Sequence, residues 1–566
     1  MKFLKKYIFG ILFFVSCAGV ILVTCGWLFN SGFYRPHDYT HAARIAEMAR
    51  SLSDGEFPVR WSQNFGFGYG MPLFNFYAPL PYYLGAVFYL LGVTPIISIK
   101  LLLLIATVIG FTAMFWLAKE LWGKYGGLVS AIFFSLATYR ALDMYVRADI
   151  GEIFAMSLLP LLFLGVIKVW GKKPSGWLLV TATLFGVLLS HNLTGMLSVG
   201  FVALFVVFLI CAEVFRKKKV RIRKTLVIIS AGVFGILLSA FYVLPAFFEK
   251  QFTRVDQTII SGYFDFHNHF VALRQFLFGT WGYGGSQPGL SDGISFALGL
   301  SLLAIVLIGF IALLLYGSKT QKMFGLGITV LAFLSLFLTT DKSVFIWEHI
   351  QLFKYLQFPW RFLLFSHIFL SLLAGSSVLL INKFKWSGIV IVLLIGWSIY
   401  TGTKIFVPEK LLYGSDLDQY YSVSPDFIRQ NLSRFLNDYI PPAVIGDHFP
   451  KVAALRLVPT DATTQVQIVS NQSSYVSAKL SGPEASKILI NVFQFPGWKA
   501  KIDGFEVPLE KSFGFPVYEV TVPEGNHLLE VKMENSLIRT LGNGISAVSL
   551  LVFLLLVISR SRKSRV

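Results

Sequence analysis

The sequence predicts an α-helical polytopic membrane protein of about twelve transmembrane helices, with a C-terminal β-sandwich-like domain outside the membrane. Three observations predict it. Of the 566 residues, 55% are hydrophobic and the mean hydropathy is +0.67, too apolar for a fold whose surface must be largely polar. The apolar residues gather in runs long enough to span a bilayer, and one long stretch near the C-terminus abandons that pattern. The formal net charge of +19 is spread over short basic blocks between apolar runs, not gathered in one basic domain. Such blocks orient helices and speak against a nucleic-acid partner.

A hydrocarbon core about 30 Å thick asks for roughly 20 apolar residues per helix. Runs lie near 8–29, 96–118, 128–144, 153–169, 177–190, 193–215, 226–247, 294–316, 324–338, 362–381, 388–406 and 541–558. The run 79–92 is also apolar, yet counting it as a span reverses the side of every later loop. Lying along the surface, it leaves Lys2, Lys5 and Lys6 on the cytoplasmic side with Lys119, Lys124, Lys168, Lys172 and Lys173. The block 216–224, then Lys319, Lys322, Lys383, Lys385, Arg560, Arg562, Lys563 and Arg565, falls on that side too. This is the positive-inside arrangement with both termini cytoplasmic. Inner loops then hold only Glu120 and Glu213, so acid–base chemistry faces outward. Cys17, Cys25 and Cys211 sit within apolar runs at neither metal nor redox spacing and read as packing residues.

Three domains are expected: 1–406, transmembrane, with outer connections 30–95 and 248–293; 407–540, extracytoplasmic and β-rich; and 541–566, a last helix with a basic tail. Strand-like alternation in the second is clearest over 487–493 and 517–522. The triplets at Asn431 and Asn471 arise too often by chance to carry weight. No internal repeat is evident, which weakly disfavours a transporter.

Polar constellations then stand out. His37, Asp38, Tyr39, Thr40 and His41 follow the first span, and on a helix Asp38, His41 and Arg44 share a face. An acid there reaches a lipid headgroup, or is a solvated helix start favoured by the dipole. In the short loop 145–152, Asp149 and Glu152 lie one helical turn apart, and charges squeezed there cost energy unless used or paired. An ion pair of Arg147 with either acid closes the loop equally well, and both readings can hold.

His191 sits where one span ends and the next begins, as a functional group or as a helix cap. The connection 248–293 carries Arg254, Asp256, Asp265, His267, His269 and Arg274, then a Gly-aromatic run from Trp281 to Gly285. His267 and His269, two apart, suit neither a helical zinc motif nor a carboxylate cage. The Gly-rich run is a closing loop or a plain turn. Arg361, at the outer end of a span, holds a lipid phosphate or snorkels to the interface.

The stretch from His37 and Asp38 to His41, with 55–61, 68–72 and 76–83, resembles the membrane family labelled 6-pyruvoyl-tetrahydropterin-synthase-related. Members of that family look like GT-C type glycosyltransferases, not soluble pterin synthases. Residues 493–500, Asp503, Gly504 and 523–527 are similar to the outer domain of YfhO-like membrane proteins, implicated in glycosylating cell-wall polymers. Arg147, Glu152 and His191 fall where such proteins carry comparable residues. The resemblance implies a GT-C-like helical domain, a functional acid in the first outer loop (Asp38), a second acid in the next (Asp149 or Glu152), and a juxtamembrane helix over 79–92. Asp38 departs from the commoner paired-acid motif, being flanked by His37 and Tyr39.

The implied activity is transfer of a sugar from a polyprenyl-phosphate donor to a cell-envelope polymer or glycolipid at the outer face, among membrane lipids. Asp38, Asp149 and Glu152 are the candidate catalytic residues. His37, His41, Arg147, His191 and Arg361 are the candidate substrate-binding residues, and a divalent metal, if used, takes Asp149 and Glu152. Two rival readings are a transporter or flippase of a lipid-linked sugar, which predicts charges deep in several spans, and a noncatalytic envelope-assembly scaffold, which predicts Asp38 far from the Asp149 cluster.

Overall fold

The computed structural model describes residues 2–173, 175–216, 221–381, 383–384, 386–444 and 450–563. Lys217, Lys218, Lys219, Lys385 and Arg565 of the basic blocks lie outside the described residues. Among the described residues, eight helical segments are long and apolar enough to cross a membrane: Tyr7–Phe29, Pro95–Ser135, Ile150–Trp170, Asn192–Phe215, Lys319–Thr339, Pro359–Leu380, Ser387–Ile405 and Leu537–Ser559. Ile222–Leu238 and Ala240–Phe248 meet the same length and composition only as a pair, bent by 74° at the break between them. The chain is a multi-pass membrane protein.

Not every one of the twelve runs forms a helix of that length, for physical reasons. The run 96–118 and the start of the run 128–144 fall within Pro95–Ser135, which is two helices separated at Gly123, whose φ of 77° and ψ of −179° suit only glycine, and the second of them is short. That helix stops at Ser135, so the later part of the run 128–144 forms a short helix and turn instead. Ser175–Ser190 and Leu300–Tyr316, from the runs 177–190 and 294–316, are apolar but shorter. Leu80–Leu90, from the run 79–92, has 11 residues and a length of about 16 Å, half the hydrocarbon core.

The chain folds into two compact units: Met1–Tyr39, Ile99–Ile236 and Ile260–Leu417; and Thr40–Ser98, Leu237–Ile259 and Asp418–Val566. In the first, helices approach closely where side chains are small. A Cβ at Gly375 would lie 2.6 Å from the Gly126 carbonyl oxygen, and one at Gly309 would lie 2.7 Å from that of Leu373. Close approach of this kind supplies dispersion contacts where lipid offers no hydrophobic drive between helices. Phe201 stacks on Phe365 with ring centres 4.2 Å apart, and Phe163 meets Phe369 edge-on at 5.3 Å.

The second unit contains two antiparallel sheets in a sandwich-like domain. One runs in the order Leu457–Pro459, Ser486–Phe493, Val517–Val522, Glu510–Lys511; the other runs Gln465–Gln472, Tyr475–Gly482, Gly525–Met533, Trp498–Ile502, Phe505–Val507. Alternate residues are buried, among them Ile488, Ile490 and Val492 in one sheet and Trp498, Ala500 and Ile502 in the other, as a one-sided sheet requires. The segment 40–98 is tied into this unit by backbone bonds: Ala453 N–H donates to the Phe67 carbonyl at 2.9 Å, and Phe493 N–H to that of Tyr69 at 3.1 Å.

A buried ion pair closes the unit. Arg539 Nε lies 3.0 Å from Glu249 Oε2, with side chains 1% and 4% exposed. Asn75 Nδ2 donates to the same oxygen at 2.8 Å, and Arg539 Nη2 donates to the Pro496 carbonyl at 2.9 Å. Removing one member strands the other charge in a low-dielectric site. Glu249→Ala is therefore expected to destabilise the protein by about 3 kcal/mol, read as a lower melting temperature in detergent; an unchanged melt contradicts this role.

Candidate functional site

The site begins where the helix Pro95–Ser135 ends. A short helix, Thr138–Ala141, runs into a π-turn over Leu142–Arg147; Ala148 then adopts the left-handed conformation with φ of 51°. Asp149 caps the next helix, Ile150–Trp170, its Oδ1 accepting the Glu152 N–H at 2.9 Å. The wide turn and the reversal at Ala148 bring the Arg147 guanidinium back over the start of the helix that follows. Single π-turns of this kind are frequent at functional positions.

Close backbone approach brings in the second connection. A Cβ on Gly151 would lie 2.6 Å from the Ser190 carbonyl oxygen, so only glycine lets the helix start sit against the break at His191. His191 caps Asn192–Phe215: its Nδ1 accepts the Thr194 N–H at 3.3 Å and lies 2.7 Å from Thr194 Oγ1. With Nδ1 an acceptor, the proton of the neutral ring sits on Nε2. That atom lies 3.9 Å from Asp149 Oδ2 and 3.5 Å from Arg361 Nη1. His191 is thus a helix cap whose other ring nitrogen lies beside Asp149 and Arg361.

The third contribution is the 3-10 turn Pro359–Phe362. Arg361 Nη1 donates to Glu152 Oε2 at 2.8 Å, and Arg147 Nη2 donates to the same oxygen at 2.8 Å. Tyr139 Oη donates to Glu152 Oε1 at 2.6 Å. Glu152 is 1% exposed, so both its oxygens are spoken for. Arg147 also pairs with Asp149 Oδ2 at 2.9 Å and with Asp143, and its guanidinium carbon lies 4.9 Å from the centre of the Trp360 ring. Arg361 is 7% exposed, and its Nε is buried with no hydrogen-bond partner among the described residues. A buried donor without an acceptor is costly, and an anionic oxygen relieves that cost.

Asp38 reaches the cluster through its backbone. His37 N–H donates to the Val146 carbonyl at 2.9 Å and Asp38 N–H to that of Arg147 at 3.1 Å. His37 Nε2 also lies 3.0 Å from the Tyr283 carbonyl oxygen. These bonds anchor 37–38 outside any helix, and the helix begins only at His41. The expectation that Asp38 shares a helical face with His41 and Arg44 is corrected accordingly. His41 belongs to the second unit, where its Nδ1 lies 2.8 Å from Tyr82 Oη; Arg44 stacks on the Tyr77 ring at 4.0 Å.

Asp149, Glu152 and His191 offer ligand atoms within 4.8 Å of one another, a donor set and spacing that suit a divalent ion. Arg147 Nη2, however, lies 2.9 and 2.8 Å from the Asp149 and Glu152 oxygens facing that point. A guanidinium supplies the positive charge there, and a metal does not fit without displacing it. Elsewhere, His267 Nδ1 lies 2.6 Å from Asp265 Oδ1, and His269 is buried against Ser286 and Tyr263. The Gly-rich run pairs with the chain beyond it, Gly284 N–H to Gly293 O and Gly293 N–H to Gly285 O, both at 2.9 Å. That is the arrangement of a structural turn.

Sequence reasoning missed Tyr139 and Asp143. Both lay inside an apolar run read as a span; the available signal was the i, i+4 spacing of Asp143 and Arg147.

Helices that cross a membrane and a buried charge cluster at their ends define a polytopic membrane protein with a polar site. The family model described as "6-pyruvoyl-tetrahydropterin synthase related domain; membrane protein" matches residues 74–407, more than half of the chain, and the chain belongs to this family. An uncharacterized protein of Lactococcus lactis subsp. cremoris (strain MG1363) is 26% identical over 252 residues, covering 43% of this chain and 40% of that protein. The match thus spans less than half of the relative. Among solved structures, arabinofuranosyltransferase AftD from Mycobacteria has a TM-score of 0.46 at 13% identity, over 72% of this chain and 27% of its own. ArnT from Cupriavidus metallidurans, bound to undecaprenyl phosphate, has a TM-score of 0.38 at 10% identity, over 75% and 77%.

Replacing Glu152 by Gln keeps the shape and removes the charge shared by two buried arginines. The variant is expected to lose about 3 kcal/mol of stability, measured as a lowered melting temperature in detergent; a wild-type melt contradicts a bridging role.

Proposed function

We propose that the chain is a GT-C type membrane glycosyltransferase that moves a sugar from a polyprenyl-phosphate donor to a cell-envelope polymer or glycolipid at the outer face. The observation that carries this reading is the meeting of four segments at one charged point: the Asp38 backbone on that of Arg147, and Glu152 with Arg361 beside His191. The distribution of basic blocks supports cytoplasmic termini and an extracytoplasmic site.

In the proposed step, an acceptor hydroxyl oxygen attacks the anomeric carbon of the donor. The bond from that carbon to the phosphate oxygen breaks, its electron pair stays on the phosphate, and the hydroxyl proton passes to the Asp38 carboxylate. The leaving phosphate needs positive charge more than it needs a proton. Arg361, with its unpartnered Nε, and Arg147 supply that charge. Glu152 acts as a positioning residue that holds both arginines, Asp149 and His191 orient the sugar, and His37 borders the acceptor. His41, engaged with Tyr82, takes no part in the step. The β-rich region recognises the acceptor.

The test is donor consumption by protein in zwitterionic nanodiscs, supplied in turn with radiolabelled polyprenyl-phosphate hexoses and pentoses. Wild type is expected to release polyprenyl phosphate from one of them. Asp38→Asn is expected to lower kcat by at least about 100-fold with folding and insertion unchanged. Full turnover by that variant removes Asp38 as the base, and no consumption of any donor by wild type contradicts the transferase reading.

A further inference from the structure

Within the second unit, the segment 54–60 and the five-stranded sheet enclose a polar cavity of about 760 Å³, a volume within the range of about 300 to 1,000 Å³ typical of ligand sites. Strand register explains its chemistry. Lys532 pairs with Tyr475 on one side and Lys499 on the other, and Glu530 pairs with Lys501. Side chains two apart share a face, so these groups line the cavity while Ala500 and Val531 between them are buried.

The wall's carboxylates are engaged within the protein. Asp54 Oδ2 accepts from Ser473 N–H and Oγ, both at 2.7 Å; Glu530 accepts from Tyr475 Oη at 2.8 Å; Glu534 lies 3.4 Å from Lys499 Nζ. Arg539 is taken by Glu249, and Arg60 Nη2 donates to Asn543 at 2.9 Å. Lys501 and Lys532 have no ion pair among the described residues. Two ammonium groups that make no salt bridge among the described residues therefore face the cavity from adjacent strands.

Two further groups address a sugar and not a bare anion. Phe57 leaves 78% of its surface exposed at the cavity wall, a flat apolar face against which a ring can lie. Glu56 Oε1 accepts the N–H groups of Arg60 and Trp61 at 2.6 and 3.2 Å, and its carboxyl lines the cavity beside Ser474. Burial pushes the Glu56 carboxyl up to about 7, so near neutrality it retains a proton for much of the time and can donate to a hydroxyl as well as accept.

We propose that this cavity binds an anionic saccharide, a short stretch of sugar or polyol chain bearing phosphate or carboxylate groups. Its charges meet Lys501 and Lys532, its hydroxyls Glu56, and a ring face Phe57. That this saccharide is the acceptor rests on the transferase reading; the binding itself does not.

The experiment titrates full-length protein in zwitterionic nanodiscs with fluorescent poly(glycerol phosphate), oligogalacturonate and neutral maltoheptaose, and reads anisotropy. At least one anionic probe is expected to bind roughly tenfold or more tightly than the neutral one, with affinity falling as salt rises; the two anionic arms separate phosphate from carboxylate. Lys501→Ala with Lys532→Ala is expected to weaken that binding at least about tenfold with the melting temperature unchanged. Asp38→Asn is expected to bind as wild type does, so lost transfer and lost binding are distinguishable. Equal binding of maltoheptaose, wild-type affinity in the lysine double variant, or no binding of either anionic probe overturns the proposal.

Discussion

Everything in the first unit's polar site turns on one buried carboxylate. Glu152 lies at the first turn of a membrane-crossing helix with a guanidinium on either side of one oxygen and a tyrosine hydroxyl on the other. A single charge at that depth is expensive, and its attraction to two well-placed arginines, each with hydrogen-bond geometry, offsets the cost. Because the arginines come from different connections, satisfying Glu152 fixes where the π-turn after Ser135 and the turn before Leu363 sit relative to each other. Gly151 then brings the His191 break against the same helix start. The geometry is cooperative: each partner is costly without the others.

The arrangement separates support from availability. Glu152 has no oxygen to spare, and Arg147 is shared among three carboxylates. Arg361 Nε is buried without a hydrogen-bond partner among the described residues, and the Asp38 backbone is anchored on the turn that carries Arg147. The proposed transfer draws on this division, with some charges spent on structure and the Arg361 Nε left to meet a phosphate oxygen. The second unit uses the same principle at Glu249 and Arg539, where a buried pair ties a broken span, the last helix and a strand-flanking turn.

Much of this was legible in the chain. Run length and hydropathy disclosed a polytopic membrane protein, alternation disclosed the strands over 487–493 and 517–522, and the spacing of Arg147, Asp149 and Glu152 disclosed a paired or functional loop. What stayed hidden depended on long-range geometry. Where the chain breaks between 96–118 and 128–144 rests on the backbone angles at Gly123, and hydropathy carries no dihedral information. Asp38 suits a helix by local spacing; its backbone N–H instead bonds a carbonyl more than a hundred residues away, and the helix starts later, at His41. Asp143 and Tyr139 were masked by apolar neighbours, and nothing in residue order announces that 40–98 folds with 418–566.

If Arg361 and Arg147 receive the donor phosphate, a polyprenyl-phosphate analogue carrying a photoreactive group beside the phosphate should label the chain there. The decisive measurement is irradiation of that analogue with the protein in membranes, followed by mapping of the crosslinked peptides by mass spectrometry. The account predicts labels concentrated on the segments holding Asp38, Arg147 to Glu152, His191 and Arg361, displaced by excess unlabelled polyprenyl phosphate. Displaceable labelling confined to other segments would contradict it.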